Sequence, residues 1–374
     1  MKIGIDISQT VYEGTGVARF TNNFVKSFVN SDKTKDYEFH LFFSTLNHKL
    51  PGAIQQILEK NENAHLTHWV IPPRALSYLW GEDKIRNIIP NPINDLDVFI
   101  SSDWAQPHTK IAKHKITIVH DQIFRKYPET VDPIVLDAQT VRLKHVTNEC
   151  DLIFCDSKST QNDLITYYPS TQERTRVNYP GVDPVADNMP SQFQYSFLPK
   201  KYFLSVGKLE PRKNIPLLID AYCEMVSQDK MREYELVIVG PKGWDVSEQH
   251  LSRKGVHFLG SVSDPDLNLL YHNALAFVYP TIYEGFGIPP LEAMHSGCPV
   301  ILSNTSSLTE IADNTSALYI DPNSKEDIKN AMIKIAQEPE YAKNLAKNGF
   351  VNVKRFDWSV YTEKVINEIE KLKV

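Results

Sequence analysis

Short, almost wholly apolar segments alternate with longer amphipathic segments along the first half of the chain. A strand that is apolar on both faces is typical of a parallel sheet covered by helices on both sides. The strand candidates are Ile3–Ile7, Glu38–Phe43, Asp97–Ile100, Ile116–Val119 and Leu152–Cys155, and the helix candidates are Val17–Val29, Pro133–Asn148 and Ser159–Tyr167. The pattern predicts an open α/β sheet.

A polar, Pro-rich segment interrupts this alternation between about residue 184 and residue 200, and a second α/β series follows it. A chain of 374 residues is too long for one ordinary core. We therefore predict two doubly wound domains, with the boundary after residue 183 and the second domain at residues 184–359. In such sheets, ligands bind at the carboxyl ends of strands.

Composition excludes several classes of protein. Hydrophobic and charged contents of 42% and 23% are typical of a soluble globular protein, and the net charge of −6 argues against nucleic-acid binding. No apolar run approaches the roughly 20 residues of a membrane span, and the N-terminal segment lacks the features of a signal peptide. The four cysteines form no CxxC pair, so we expect reduced thiols and a cytoplasmic protein.

The segment Glu284–Glu292 carries two carboxylates around a Gly-Phe-Gly turn and a Pro-Pro pair. Proline suits a helix start, so Glu284 is predicted in the turn and Glu292 in the first helical turn. Glycines admit a ligand to the backbone, and a helix N-terminus favours negative charge. The segment therefore predicts a site for a hydroxylated, anionic ligand.

Three cations, Lys208, Arg212 and Lys213, follow the strand candidate Tyr202–Val206. Arginine offers phosphate a bidentate fork and lysine a compact charge. At the carboxyl end of a strand, Arg212 and Lys213 would neutralise a diphosphate. A solvated basic turn beside Glu210 is the alternative.

The first half carries weaker signals. Gly14 and Gly16 form either a flexible turn or a place where the backbone approaches a sugar or phosphate. The third glycine of a dinucleotide fingerprint is lacking, which disfavours an NAD-dependent dehydrogenase. His120 follows the strand candidate Ile116–Val119 at the ligand-facing edge, although a structural histidine is the alternative. Asp156–Ser159 is predicted mainly as turn and cap.

Taken in order, these segments resemble the retaining glycosyltransferases of family 4, which have the GT-B fold. The resemblance covers nearly the whole chain, and its most specific part is the Glu-x7-Glu turn. It rests on Gly14–Gly16, His120-Asp121, Ser157–Ser159, Gly181–Asp183, Gly207–Asn214 and Glu284–Glu292. It implies two Rossmann-like domains that face each other across a cleft. The N-terminal domain, residues 1–183, would bind the acceptor and receive the last helix, residues 360–374. The C-terminal domain would bind the nucleotide sugar.

The resemblance also implies roles for single residues. The donor-binding residues would be Gly16, Lys208, Arg212, Lys213, Glu284, Gly285, Phe286, Gly287, Ile288 and Glu292. Glu292 would hydrogen-bond the ribose and Glu284 would face the transferred sugar, while Arg212 and Lys213 would bind the diphosphate. With His120 near the transferred sugar, the catalytic candidates are His120, Glu284, Arg212 and Lys213. Many members carry arginine at the position of Lys208, which leaves the division of phosphate contacts among the three cations open.

The implied activity is retaining transfer of a hexosyl group from a nucleotide-diphosphate sugar to a saccharide or lipid-linked saccharide. The Leu-Glu-Pro-Arg-Lys-Asn turn resembles members that use GDP-mannose, so mannosyl transfer is the first hypothesis and a UDP-sugar donor the next. No cofactor and no metal are expected, because Asp95-Leu96-Asp97 leads into a strand and Asp264-Pro265-Asp266 opens a helix. A sugar-nucleotide epimerase or phosphorylase on the same scaffold and a non-catalytic sugar-nucleotide-binding protein are the alternatives.

The implied setting is bacterial-type polysaccharide or lipopolysaccharide assembly in the cytoplasm. Peripheral contact with the inner membrane remains open. A group of basic residues in the first half either favours an anionic surface or forms a solvated face. The group consists of Lys110, Lys113, Lys115, Arg125 and Lys126.

Overall fold

A computed structural model divides the chain into two compact units. The first comprises Met1–Gly181 with Phe356–Val374, and the second comprises Val182–Arg355. The division falls beside the boundary predicted after residue 183. The residues that the structure describes are 1–12, 14–83, 85–86, 93, 95–101, 103–107, 109–185, 199–243 and 247–372. Most of the predicted Pro-rich segment, residues 186–198, therefore lies outside the described residues.

Thirteen strands form the two sheets within this described part of the chain. They are β1 Lys2–Asp6, β2 Glu38–Ser44, β3 Ala64–Trp69, β4 Leu96–Ser101, β5 Ala112–Val119, β6 Leu152–Cys155, β7 Thr175–Val177, β8 Tyr202–Val206, β9 Glu235–Val239, β10 Val256–Gly260, β11 Ala276–Tyr279, β12 Val300–Ser303 and β13 Leu318–Ile320. All the strand pairs described are parallel.

Helices connect the parallel strands. They are α1 Gly16–Val29, α2 Gly52–Lys60, α3 Pro73–Gly81, α4 Ile123–Lys126, α5 Pro133–Glu149, α6 Lys158–Tyr167, α7 Ile215–Val226, α8 Glu248–Leu251, α9 Asp264–Asn273, α10 Ile288–His295, α11 Leu308–Ile311, α12 Lys325–Gln337, α13 Pro339–Asn352 and α14 Trp358–Leu372. The two predicted Rossmann-like, doubly wound α/β sheets are thereby confirmed.

The strands that the apolar pattern missed lie at the edges of the first sheet. Its order is β3-β2-β1-β4-β5-β6-β7. An edge strand is covered less completely, so its residues need not be apolar on both faces. In β3, accordingly, only Ala64 is fully buried, and three of the six residues are exposed. At the other edge, β7 has just three residues, too few to show a pattern.

Each sheet has a point at which its strand order reverses. In the first unit it lies between β1 and β4, and in the second, whose order is β10-β9-β8-β11-β12-β13, it lies between β8 and β11. Ligands of open α/β sheets bind outside the carboxyl ends of the strands at such switch points. The segments that follow β8 and β11 are the cationic turn and the Glu284 turn, so the fold brings the two predicted segments together.

The last helix packs in the first unit, as the resemblance implies. The Ser27 hydroxyl on α1 donates to the Trp358 carbonyl at 3.0 Å and lies 2.7 Å from the Thr362 hydroxyl. Phe20 of α1 meets the rings of Trp358 and Tyr361 edge-on, with centroids 5.3 and 5.6 Å apart. Burial of large aromatic surfaces in this arrangement stabilises the docking of α14.

Candidate functional site

The loops after β8 and β9 support the cationic turn by packing backbone against backbone. Gly207 N–H donates to the Val239 carbonyl at 2.9 Å, and Leu209 N–H donates to the Pro241 carbonyl at 3.1 Å. Gly240 has a φ of +136°, and a Cβ there would lie 2.2 Å from the Gly207 oxygen. Only glycine permits both the conformation and the approach. The start of the cationic turn is therefore fixed by the adjacent strand.

The end of the same turn is tied to the segments that follow β11 and β13. Asn214 adopts a left-handed conformation with φ 58° and ψ 32°, and its amide donates to the carbonyls of Pro280 and Pro322 at 3.2 and 2.6 Å. The Arg212 carbonyl accepts from the Thr281 hydroxyl and the Ile282 N–H, each at 2.8 Å. These bonds hold the turn beside the segment that leads to Glu284.

One carboxylate oxygen gathers the functional side chains. Glu284 Oε1 accepts from the Arg212 guanidinium at 2.5 Å, Lys213 Nζ at 2.6 Å, the Tyr279 hydroxyl at 2.9 Å and the Thr281 hydroxyl at 3.1 Å. Lys213 Nζ also donates to the Tyr279 hydroxyl and lies 4.6 Å from the centre of that ring. Within the described ranges, no hydrogen bond reaches Glu284 Oε2. The predicted catalytic residues Glu284, Arg212 and Lys213 thus form one cluster.

The charges in this cluster are unequal. Burial tends to raise the pKa of the Glu284 carboxyl, but Arg212 and Lys213 outweigh it and lower this pKa to about 2. Burial and the neighbouring Arg212 charge lower the pKa of Lys213 to about 8, against the attraction of Glu284. Glu284 is therefore ionised throughout the physiological range. Two cations, Arg212 and Lys213, bond to this one carboxylate, so the positive charge exceeds the negative charge by one.

The remaining cation of the turn is more exposed. Lys208 Nζ lies 3.0 Å from Glu210 Oε1, and its side chain is 46% exposed. The second oxygen of Glu210 accepts from Arg212 Nε at 3.3 Å. Arg212 thereby links the two carboxylates, while Lys208 pairs with Glu210. Three cations face two carboxylates, so the turn has the charge excess that an anionic ligand needs.

The Gly-Phe-Gly turn is held by two serines that follow β12. Glu284 N–H donates to Ser306 Oγ at 3.0 Å, and Ser307 Oγ donates to the Glu284 and Phe286 carbonyls at 2.9 and 2.7 Å. Gly287 has a φ of +116°, and a Cβ there would lie 2.9 Å from each of two aliphatic side chains. The positive φ therefore favours glycine here, and a Cβ would also require these two side chains to move. Gly285 lies in this turn, and Ile288 begins α10.

The second carboxylate of the motif, Glu292, lies in α10, the helix that was predicted to follow the Pro-Pro pair. The helix begins at Ile288, just before the Pro-Pro pair, so Glu292 lies in its second turn and not in the first turn as predicted. Glu292 is 4% exposed, and its Oε2 accepts from the buried Tyr271 hydroxyl at 3.3 Å. Burial, with Glu292 nearby, raises the pKa of Tyr271 well above its usual value, so the hydroxyl stays a donor.

In the first unit, Gly16 begins α1 and Thr15 caps it, with Thr15 Oγ1 accepting from Ala18 N–H at 3.3 Å. A Cβ at Gly14 or Gly16 would meet no atom within 4 Å. The turn is thus open, which fits both the flexible turn and the ligand-approach hypotheses. Glu13, which precedes Gly14 in this turn, lies outside the described residues.

His120 lies at the carboxyl end of β5 and is paired with an aspartate. Its Nδ1 lies 2.6 Å from Asp156 Oδ2, and the edge of the Phe20 ring lies against it with centroids 4.7 Å apart. Burial tends to lower the pKa of His120, but Asp156 outweighs it and raises this pKa to about 9. The prediction that Asp156 mainly serves a turn was therefore incomplete, although the neighbouring Ser157 does cap α6.

Sequence reasoning missed Tyr279 and Thr281 as members of the Glu284 cluster. Both lie at or just after the carboxyl end of β11, directly before the Gly-Phe-Gly turn. That position was the available signal, because side chains there reach the same edge of the sheet as the cationic turn. A tyrosine at the end of an apolar strand otherwise has the appearance of a core residue.

The two Asp-x-Asp triplets occupy the positions predicted from sequence. Asp97 lies in β4 and accepts from Lys2 N–H at 2.9 Å and Lys113 Nζ at 2.7 Å, and Asp266 lies in the first turn of α9 with Ser263 as its cap. Over the described ranges, no group of three or more His, Cys, Asp or Glu side chains is arranged to hold a metal ion.

The basic residues proposed for a membrane surface are mostly engaged within the first unit. Lys113 pairs with Asp97, Lys126 pairs with Asp163, and Lys115 is buried. The Arg125 guanidinium donates to the Tyr168 hydroxyl at 2.8 and 3.0 Å. In the part of the chain that the structure describes, no helix combines the length and apolar character that crossing a bilayer requires.

Residues 190–351 match the family model described as glycosyl transferases group 1. O-antigen chain mannosyltransferase B of Escherichia coli is 37% identical over half of this chain and half of its own length. O-antigen chain mannosyltransferase RfbU of Salmonella typhimurium is 33% identical over 57% of this chain and 60% of its own length. The chain spans 29% of another relative, the serotype-specific mannosyltransferase WbdA of Escherichia coli.

Solved structures show the fold over the full chain. Sucrose-phosphate synthase from Thermosynechococcus elongatus covers 100% of this chain with a TM-score of 0.71 and 17% identity, and the match covers 99% of that structure. Anabaena HepE in complex with UDP and glucose covers 99% of this chain and is itself covered completely, with a TM-score of 0.71 and 18% identity. Both sheets and the last helix, α14, thus have the arrangement of the GT-B fold, as the resemblance implied.

Proposed function

We propose that the protein is a retaining, metal-independent glycosyltransferase. It would move a hexosyl group, in the first instance mannosyl, from a nucleotide-diphosphate sugar to a saccharide or lipid-linked saccharide in bacterial-type cell-surface polysaccharide assembly. The observation that carries the proposal is the Glu284 cluster. Arg212 and Lys213 are held on one carboxylate oxygen at the switch point of a parallel sheet. Such a buried, cation-rich site suits a ligand that brings negative charge.

The chemistry of sugar transfer demands stabilisation where the leaving diphosphate gains charge. Groups that are fixed before the reaction stabilise that charge without the cost of reorganisation. Arg212 is held by Glu284 and Glu210, and Lys213 by Glu284 and Tyr279. In this proposal the two cations bind the diphosphate, and Lys208 contributes a more distant charge. They supply the electrostatic role that a divalent cation fills in other transferases.

The two carboxylates of the motif take different parts of the donor in this proposal. Glu284 uses Oε1 to hold the cations, and Oε2, which accepts no bond from the described residues, accepts from a hydroxyl of the transferred sugar. Glu292 accepts from the ribose, with the Tyr271 hydroxyl fixing its carboxylate. Gly285, Phe286, Gly287 and Ile288 supply backbone to the same ligand, and Gly16 remains a predicted donor-binding residue.

The choice of mannose and of a polysaccharide product is supported by the relatives. Three of the most similar curated proteins carry names that specify mannosyl transfer, two of them to the O-antigen chain. We therefore place GDP-mannose first among donors. UDP-sugars come next, because HepE, which shares the fold, was solved with UDP and glucose.

A lipid-linked acceptor would bring the protein to the cytoplasmic face of the inner membrane, and sedimentation with anionic vesicles tests that contact.

A thermal-shift panel of GDP-, UDP- and ADP-sugars tests the donor first. A ligand that binds only the native state raises the apparent stability, so GDP-mannose should give the largest shift. Turnover of that donor should persist in EDTA, and nuclear magnetic resonance of the product should show the anomeric configuration of the donor. A flat response to every nucleotide, or strict dependence on added Mg²⁺, would contradict the proposal.

Two matched arginine variants test the site. Arg212→Ala should lower kcat about 10²- to 10³-fold, the usual effect of removing one fixed donor to a developing charge. Arg232→Ala is the control, because this arginine pairs with Asp229 and is 68% exposed. Equal activity in the two variants would remove Arg212 from the mechanism.

A further inference from the structure

We propose that Asp156 is a positioning residue that holds His120 as a hydrogen-bond donor to a substrate oxygen through Nε2. The inference rests on the proposed function, because it assigns His120 to substrate. It adds a residue that sequence reasoning treated as a turn, and it makes His120 a donor of a hydrogen bond, not a base.

The sheet itself places the two residues side by side. Strands β5 and β6 are parallel neighbours, and Val119 is aligned with Cys155 in their register. His120 and Asp156 directly follow the last residues of β5 and β6, so both lie at the carboxyl edge of the sheet. Their side chains meet with Nδ1 and Oδ2 2.6 Å apart. This distance is that of a strong, charge-assisted hydrogen bond.

Aromatic packing fixes the plane of the imidazole. The edge contact with Phe20 has an interplanar angle of 74°, and Phe20 in turn meets Tyr361 of α14 edge-on at 86°. The Thr160 hydroxyl donates to the His120 carbonyl at 3.2 Å. With Nδ1 bound by Asp156 and the ring packed on Phe20, Nε2 has no hydrogen bond within the described residues. It is therefore the ring atom left for a ligand.

Charges around the ring favour its protonated form. Asp156 and the more distant Asp103 raise the pKa of His120, while burial and Arg142 oppose them, and the resulting pKa is about 9. Burial raises the pKa of Asp156, and the His120 charge opposes that shift. The second oxygen, Asp156 Oδ1, has no partner among the described residues. The ionised form of Asp156 is therefore stabilised by the positive charge of His120. At neutral pH the imidazole of His120 is protonated, so His120 Nε2 carries a hydrogen.

Asp156→Asn provides the test, because it keeps the size of the side chain and removes the charge. Donor turnover should fall roughly tenfold to a hundredfold, the range in which losing a partner of a functional histidine commonly falls. The alkaline limit of the kcat profile should move from about pH 9 toward the ordinary histidine value near 6.5. Nucleotide diphosphate alone, probed by thermal shift, should bind with unchanged affinity, because its proposed cations lie in the other unit.

Asp163→Asn is the matched control, since this carboxylate lies on α6 in the same unit and pairs with Lys126 at 3.1 Å. It should keep the wild-type turnover and pH profile. A wild-type profile in Asp156→Asn would overturn the inference, as would equal losses in both variants.

A second measurement works even if Asp156→Asn does not fold. The ring nitrogens of His120, followed by ¹⁵N nuclear magnetic resonance, should titrate well above 6.5 in the wild-type protein and show hydrogen on Nε2 at neutral pH. Titration near 6.5 in the wild type would overturn the inference. If no nucleotide binds while His120 titrates high, the donor assignment fails and the His120–Asp156 pairing stands.

Discussion

Each sheet carries a buried carboxylate at the end of a strand or just beyond it, but the two carboxylates are neutralised differently. In the second unit, Glu284 faces two cations and two hydroxyls, all on one oxygen. In the first unit, Asp156 faces one imidazole, which itself can lose its charge. A carboxylate beside a permanent arginine charge and a lysine that is mostly charged at neutral pH stays ionised, whereas a carboxylate–imidazole pair titrates together.

This difference separates what the two places can bind. The Glu284 cluster has more positive than negative charge before any ligand arrives, so burying it is costly unless an anion completes it. The His120–Asp156 pair is already balanced and needs only a hydrogen-bond acceptor of modest charge. We infer that a diphosphate suits the first and a sugar hydroxyl or phosphate ester oxygen the second.

Among the variants considered, Glu284→Ala should cause the largest loss of stability. It leaves Arg212 and the buried Lys213 without their shared counter-ion, and breaking a buried ion pair from one side costs about 3–5 kcal/mol. Urea unfolding should show that loss, together with loss of donor turnover. Glu284→Gln keeps the shape and should destabilise the second unit nearly as much, because the missing charge causes most of the cost.

Glu248→Ala is the control for that experiment. Glu248 pairs with Lys242 but its side chain is 82% exposed, so its removal should cost less than about 1 kcal/mol. If Glu284→Ala and Glu248→Ala were equally stable, the Glu284 cluster would not be the charged centre that its geometry indicates.

The pH dependence of stability should distinguish the two units. The pKa of Glu284 is lowered to about 2, so its contribution is present above its ordinary value near 4.5 and is lost as pH falls through 2. The pKa of His120 is raised to about 9, so its contribution is complete below about 6.5 and is lost as pH rises through 9. Each contribution amounts to about 3 kcal/mol at most.

Unfolding by urea between pH 2 and pH 9.5 measures both windows. Glu284→Gln should remove the acid window alone, and Asp156→Asn should remove the loss above pH 6.5 alone. Above pH 8 the two units change stability in opposite directions. Loss of the His120 charge destabilises the first unit, whereas deprotonation of Lys213, whose pKa is lowered, removes a buried charge and stabilises the second. A single variant that abolished both windows would contradict the separation of the two clusters.

Sequence predicted the central strands and the residue types of the site better than their partnerships. Strands buried on both faces appear as apolar runs, but the edge strand β3 is half exposed and was missed. The roles proposed for Arg212, Lys213 and Glu284 were predicted from their chemistry, yet 71 residues separate Lys213 from Glu284, and the β8–β11 adjacency brings them together. No local pattern encodes that adjacency.

The His120–Asp156 pair shows the same limit more sharply. Asp156 directly precedes Ser157, which caps α6, and a local pattern of that kind indicates a cap and nothing else. The partnership depends on the register between β5 and β6, in which a shift by one residue would turn the side chains to opposite faces. Register is set by the whole sheet, so it is not available from the segment itself.

Nucleotide binding should weaken as Lys213 loses its charge. The pKa of Lys213 is lowered to about 8 by burial and by Arg212, so the fraction of charged side chain falls above that pH. The affinity for a nucleotide diphosphate should drop by up to about tenfold per pH unit from about pH 8 up to the higher pKa that Lys213 has in the bound form, and level off above it. Isothermal titration calorimetry from pH 7 to pH 9.5 measures this, and Lys213→Met should bind weakly with a flat profile. A sloping profile in Lys213→Met would assign the titration to another group.

Lys208→Ala should have the smallest effect on nucleotide affinity. It tests how the contacts to the diphosphate are shared among Lys208, Arg212 and Lys213. Lys208 is half-exposed beside Glu210, and an exposed charge pair is worth about 0.2–1 kcal/mol, so affinity should fall only about two- to fivefold. Lys208→Arg should bind at least as well as wild type, because the longer fork reaches phosphate in two directions. If Lys208→Ala instead weakened binding as much as Arg212→Ala, the diphosphate would lie along the outer part of the turn, away from Glu284. The charge excess of the Glu284 cluster would then serve the turn's structure, and the contrast with the balanced pair in the first unit would lose its functional meaning.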